Sequence, residues 1–130
     1  MTPQHEEARR LLRLAARDQT AFKALRVVPE VDIAVALFHA QQSVEKTLKA
    51  MMCLHELEYR RTHDLEELAA RLTTAGVLLP VTEEQLSRLT PYAVEFRYDD
   101  GAFHLLSAEE ADHWVAVLFA WAREAIENAQ

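Results

Sequence analysis

Glycine is nearly absent from this chain, and that shortage is what most limits the folds open to it. Only 2 of the 130 residues are glycine, against a usual share of about 7%. An all-β sandwich or barrel needs glycine at its many turns, so the shortage argues against these folds. The same shortage excludes the glycine-rich loops that cradle phosphates in P-loop and dinucleotide-binding proteins. The single cysteine, Cys53, leaves neither an internal disulfide nor a multi-cysteine metal centre.

Hydrophobic spacing and helix-end signals instead predict an all-α fold of about five helices and no strand. The second helix, about residues 31–57, carries apolar residues on two sides, which is typical of a central helix packed against several neighbours. The connections are short, so we expect an up-and-down antiparallel bundle that forms one domain over residues 1–130.

The predicted helix ends follow from capping residues. Helix 1 covers about residues 6–25, and helix 3 begins after Thr62 or Asp64 and ends at Gly76. The last helix begins at a capping box formed by Ser107 and Glu110 and runs to about residue 128.

Pro91 interrupts a fourth helical stretch that starts after Thr82. Either Thr90 caps a new short helix there, or one helix is kinked and continues to about Tyr98. We expect the kink.

The charge is −7 overall but it is unevenly distributed. Residues 1–26 carry six basic and three acidic side chains, net +3, whereas residues 83–130 carry three basic and ten acidic ones, net −7. Arg9, Arg13 and Arg17 repeat every four residues and form one basic ridge on helix 1. This ridge is either a solvated face or a contact surface for an acidic partner or an RNA backbone. The overall balance argues against general nucleic-acid binding, and we expect no general DNA binding.

A polar strip on helix 2 is the most informative local feature. His39, Gln42, Lys46 and Lys49 are spaced by three, four and three residues, so they share one face of the helix. Gln41 and Glu45 form a second polar pair beside them. The strip is either the exposed edge of a central helix or the wall of a groove, where lysine would meet a phosphate and His and Gln would donate hydrogen bonds.

Other chemistry finds little support in the sequence. The possible metal-ligand pairs are Cys53 with His55, His63 with Asp64, and Glu109 with His113, and none has a recognised spacing or a second pair to complete four ligands. We therefore expect no metal and no cofactor. Cys53 lies among apolar neighbours and is predicted to be a core thiol.

The first residues have no apolar segment typical of a secretory signal. No run approaches the roughly 18 apolar residues of a membrane span. We therefore expect a cytoplasmic protein without a membrane partner.

Three blocks of sequence together resemble the HEPN domain family. They are residues 38–50 (FHAQQSVEKTLKA), 62–65 (THDL) and 91–98 (PYAVEFRY), and with the flanking helices the resemblance covers nearly the whole chain. It implies a five-helix bundle that forms a homodimer, and the chain is similar to stand-alone FHAQQ-type members. Such members act beside a minimal nucleotidyltransferase in toxin–antitoxin pairs. It also implies nucleotide or RNA-phosphate binding, in a groove that we expect to be lined by His39, Gln42, Lys46, Lys49 and Arg97.

The ribonuclease branch of the same family implies an alternative activity, metal-independent cleavage of RNA. Arg97 and His104 match its catalytic pair, since an imidazole can transfer the proton while a guanidinium stabilises the charged phosphorane. However, Tyr98 follows the arginine where the ribonucleases prefer Asn, Asp or His, and Gly101 should break the helix that holds both groups. We expect a binding protein rather than an enzyme. The resemblance leaves open whether the partner modifies a tyrosine such as Tyr98.

Overall fold

A computed structural model describes residues 1–93 and 106–129. This part of the chain contains helices and no strand, as predicted. The helices are α1 (Pro3–Leu25), α2 (Ile33–Leu54), α3 (Leu65–Thr74), α4 (Glu83–Leu89), which passes into a 3-10 turn at Thr90–Ala93, and α5 (Ala108–Asn128). The expectation of an all-α helical bundle is confirmed.

α2 lies at the centre of the bundle, as its two apolar sides predict. It packs against α1, α3, α5 and the 3-10 turn. Leu37, Leu48 and Met52 on α2 are fully buried, and burial of side chains this large supplies most of the driving force for folding. Small residues let α1 approach closely, so that the Ser43 hydroxyl of α2 donates a hydrogen bond to the Ala15 carbonyl oxygen of α1 at 2.9 Å.

α1 is antiparallel to both long helices that it contacts. α1 and α2 are joined by a short connection, and Ser43 in the middle of α2 contacts Ala15 in the middle of α1. At the opposite interface, buried His5 lies near the start of α1, and its Nε2 is 2.9 Å from the Ile126 carbonyl oxygen near the end of α5. Arg26, just after α1, forms an ion pair with Glu109 at the start of α5, at 3.0 Å. The α1–α5 interface therefore has a polar contact at each of its ends.

Side chains cap the helices at the predicted places. Asp64 caps α3 by accepting a hydrogen bond from the Glu67 backbone N–H at 3.2 Å, and Ser107 caps α5 by accepting one from Glu110 N–H at 3.0 Å. Thr82 and Gln85 form a reciprocal capping box at the start of α4. Gly76 follows α3 with φ +89°, a conformation that glycine adopts without steric cost.

Thr90 contacts the start of α3, a role that neither prediction for the Pro91 region includes. Its hydroxyl oxygen accepts a hydrogen bond from the Leu65 backbone N–H at 3.1 Å and donates one to the Glu66 carboxylate. Thr90 thus satisfies the start of α3 rather than the start of a new helix. α4 passes directly into the 3-10 turn, and the predicted continuation to Tyr98 lies outside the described residues.

Across the part of the chain that the structure describes, no helix combines the length and the apolar character needed to cross a membrane.

Tyr92 generates the first prediction. Its side chain is fully buried, and its hydroxyl oxygen accepts a hydrogen bond from the Leu106 backbone N–H at 3.0 Å. In Tyr92→Phe this buried N–H loses its acceptor, so we expect the free energy of unfolding to fall by about 1–3 kcal/mol. Urea denaturation followed by circular dichroism measures the change. Tyr59→Phe, at a half-buried position, serves as control, and a Tyr92→Phe effect no larger than that of the control would contradict the assignment.

Candidate functional site

The polar strip of α2 is divided between two carboxylates. His39 and Lys46 contact Asp18 of α1, and we call these three residues the Asp18 cluster. Gln41, Glu45, Lys49 and His63 contact one another, and we call these four the Glu45 cluster. Positions that share one helical face in the sequence thus meet different neighbours in the fold.

Asp18 holds both partners of its cluster with separate oxygen atoms. Its Oδ1 lies 3.1 Å from His39 Nδ1, and its Oδ2 lies 2.5 Å from Lys46 Nζ. The Asp18 side chain is 14% exposed, while those of His39 and Lys46 are 29% and 28% exposed. The carboxylate is therefore the inner member, and the two basic side chains lie between it and solvent.

Engagement of Nδ1 determines what the His39 ring offers to a ligand. With Nδ1–H donated to Asp18, the neutral ring has an acceptor at Nε2, and the protonated ring has a donor there. The ring also packs edge-on against Phe38, with 5.2 Å between centroids. Asp18 and Phe38 together limit rotation of the imidazole.

A cleft of about 310 Å³ opens beside the Asp18 cluster, between α1 and α2. Leu14, Arg17 and Ala21 of α1 complete its lining. Arg17 is exposed, and no ion pair is found for it among the described residues. The cleft thus presents one guanidinium, one ammonium and one imidazole around a single carboxylate, which suits an anionic ligand better than a cationic one.

The carboxylate of the Glu45 cluster is more enclosed than that of the Asp18 cluster. The Glu45 side chain is 7% exposed; its Oε2 accepts a hydrogen bond from Lys49 Nζ at 2.9 Å, and its Oε1 lies 2.9 Å from His63 Nδ1. The Gln41 side-chain amide donates to Glu45 at 3.2 Å and to the His63 carbonyl oxygen at 3.0 Å. Lys49 also lies over the Tyr59 ring, 5.3 Å from its centroid. This network fixes α2 to the segment that precedes α3.

The structure therefore brings together two of the five residues expected to line the groove. His39 and Lys46 share the cleft. Lys49 belongs to the Glu45 cluster, and Gln42 donates to the side chain of Gln41 at 2.7 Å. Arg97 lies outside the described residues, as does His104, the second member of the proposed catalytic pair.

Asp18 was missed by the sequence reasoning, although a signal for it exists. Leu11, Ala15, Asp18 and Phe22 are spaced by four, three and four residues, so Asp18 falls on the apolar stripe of α1. A carboxylate on the buried face of a helix needs a hydrogen-bonding or charged partner. The basic side chains of His39 and Lys46 on the facing helix are those partners. Arg17 was recognised only as part of the basic ridge.

Cys53 has the properties of a packing residue. It is partly buried against the core, and burial, the largest influence, raises the pKa of its thiol above the ordinary value. A raised pKa keeps the thiol protonated and weakly nucleophilic at neutral pH. Within residues 1–93 and 106–129, no group of three or more His, Cys, Asp or Glu side chains is placed to hold a metal ion.

A family model described as HEPN domain matches residues 8–125, all but the ends of the chain. No curated protein and no solved structure is significantly similar to this chain.

The Glu45 cluster generates the second prediction. In Glu45→Ala the Lys49 ammonium loses its partner at a site where it is only 15% exposed. Removing one member of a buried ion pair costs about 3–5 kcal/mol, and we expect a loss near the lower limit of that range. The free energy of unfolding in urea measures it. The double variant Glu45→Met/Lys49→Met removes the buried ammonium together with the carboxylate and leaves only His63, which is 57% exposed, so it should recover most of the loss.

Glu67→Gln is the matched control, since Glu67 pairs with Arg60 at a position where that arginine is 78% exposed. We expect it to change stability by less than about 1 kcal/mol. If Glu45→Ala were as mild as Glu67→Gln, the Glu45 cluster would not be the structural element described here.

Proposed function

Because the chain belongs to the HEPN domain family, we propose that its cleft between α1 and α2 binds a phosphate group of a nucleotide or of RNA. The observation that carries this proposal is the convergence of Arg17, His39 and Lys46 on one cleft of about 310 Å³. The three side chains come from two helices whose packing includes buried contacts, so the backbone positions of the three residues are fixed relative to one another.

Hydrogen-bond capacity supports a phosphate ligand. Lys46 has three N–H donors and gives one to Asp18, so two remain for a ligand. The planar Arg17 guanidinium has five donors and matches two phosphate oxygens at once. His39 adds a donor at Nε2 when its ring is protonated.

Asp18 limits the affinity of the site. Its negative charge opposes an incoming phosphate, and it already neutralises part of the Lys46 charge. A ligand therefore has to gain most of its electrostatic energy from Arg17 and from the second and third donors of Lys46. We expect binding that weakens strongly as salt is raised.

The biological setting that we propose is a two-component system. The chain would act as a homodimer beside a minimal nucleotidyltransferase, in a pair of the toxin–antitoxin kind. The support is the resemblance of residues 38–50, 62–65 and 91–98 to stand-alone members of this family. An acidic body with one basic helix also suits a protein that selects a protein partner.

Titration of the purified protein with ATP and with short single-stranded RNA tests the proposed site. Arg17→Met should weaken binding about tenfold, because it removes an exposed charge-assisted donor without disturbing the core. Lys46→Met should weaken it at least as much. Isothermal calorimetry or fluorescence anisotropy at low salt measures the affinities.

Arg71→Met is the matched control, since Arg71 is an exposed arginine on α3, away from the cleft. It should leave the affinity unchanged. Binding that survives both Arg17→Met and Lys46→Met would contradict the proposal.

The same RNA titration, carried out in EDTA, also tests the ribonuclease alternative. Intact RNA at the end of the titration is the result that we expect. Cleavage that leaves a 2′,3′-cyclic phosphate and is lost in Arg97→Ala and His104→Ala would show that the chain is an enzyme instead.

A further inference from the structure

A second groove lies between α1 and α5, and we infer that it binds an acidic amphipathic helix of a partner protein. The groove has a volume of about 230 Å³ and shares no lining residue with the cleft of the Asp18 cluster. The inference rests on the proposed function in one respect only, namely that a protein partner exists.

The floor of the groove is apolar. Leu12 and Ile126 are buried beneath it, while Ala16 and Phe119 are partly exposed to it. A partly exposed aromatic side chain between two helices is the kind of surface that receives an apolar anchor from a partner. The volume is enough for one large side chain or two small ones.

The rims of the groove are cationic. Arg9 and Arg13 of α1 lie on one rim and Arg123 of α5 on the other, and all three are exposed. The Arg123 guanidinium lies over the Phe119 ring, 5.7 Å from its centroid, so the charge is held beside the apolar floor. Glu127 is the one carboxylate in the lining.

The three arginines of the groove keep their charges unpaired, whereas four other arginines of the described chain do not. Arg10, Arg26, Arg60 and Arg88 each form an ion pair with a glutamate. No ion pair is found for Arg9, Arg13 or Arg123 in the described part of the chain. Three guanidinium groups without carboxylate partners therefore surround one apolar surface.

The spacing of the arginines fits a helical ligand. Arg9 and Arg13 are one turn apart on α1, about 5–6 Å along the axis. Acidic side chains four residues apart on a second helix have the same separation. A helix packed into the groove can thus place two carboxylates on this rim while its apolar side chains contact Phe119.

An RNA strand is a poorer match for the groove than an acidic helix is. Phosphates could meet the arginines, but Glu127 would repel them and the apolar floor would gain little from a polar backbone. The distribution of charge also favours α1 as the helix that contacts an acidic protein. Residues 1–26 carry a net charge of +3, whereas residues 27–130 carry 18 acidic and eight basic side chains, net −10, and the acidic remainder of the chain repels an acidic partner.

A synthetic helical peptide tests the inference. The probe has about 18 residues, enough for a helix with stabilising pairs, with glutamates at every fourth position on one side and leucines beside them. Fluorescence anisotropy of the labelled peptide measures its affinity for the full chain. We expect saturable binding that weakens as salt is raised.

Variants of the exposed arginines show where the peptide binds. Arg13→Glu and Arg123→Glu should each weaken binding at least about tenfold. Arg71→Glu, the same charge change on α3, should leave it unaltered. A peptide with lysine in place of glutamate, and one with the same composition in scrambled order, should not bind.

Three results would overturn the inference. One is no binding of the acidic peptide below about 1 mM. Another is equal affinity for Arg13→Glu and the unmodified chain. The third is tighter binding of a single-stranded RNA that is lost in the same variants, which would make the groove a nucleic-acid surface. ATP binding that survives Arg17→Met would overturn only the proposal for the other cleft, which shares no lining residue with this groove, so the two proposals fail separately.

Discussion

A carboxylate buried in a helical bundle has to be neutralised, and the placement of Glu45 on α2 imposes that requirement here. Lys49 and His63 contact its two oxygens, and Gln41 adds a hydrogen bond. Because His63 precedes α3, the pairing of one α2 side chain fixes the position of the next helix. Thr90 then joins the start of α3 to the end of α4. Polar contacts thus join α2 to the segment before α3, and the start of α3 to the end of α4.

Asp18 applies the same rule on the other side of α2, with a different outcome. It lies on the apolar stripe of α1, but the cluster it forms is at the mouth of a cleft rather than enclosed. His39 and Lys46 therefore keep part of their hydrogen-bonding capacity for a ligand. Glu45 thus gives Lys49 a structural role, whereas Asp18 leaves His39 and Lys46 able to contact another molecule.

The helical elements could be predicted from the sequence because their signals are local. Thr82, Asp64 and Ser107 begin helices where capping preferences place them, and Gly76 follows α3 as expected. The division of the polar strip could not be predicted in this way. Lys46 and Lys49 are three residues apart, yet one pairs with Asp18, which is 28 positions away, and the other with Glu45, four positions away. Helical spacing gives the face on which a residue lies, whereas its partner depends on how the helices pack.

The histidine side chains allow the most direct test of this division. Long-range ¹H–¹⁵N spectra resolve the imidazole nitrogens, and His→Gln variants assign them. On addition of ATP at low salt, we expect the signals of His39 to shift and those of His63 to remain in place, although His63 is the more exposed of the two at 57% against 29%. A shift of His63 without a shift of His39 would show that the ligand meets the Glu45 cluster and that the Asp18 cluster is not the binding site.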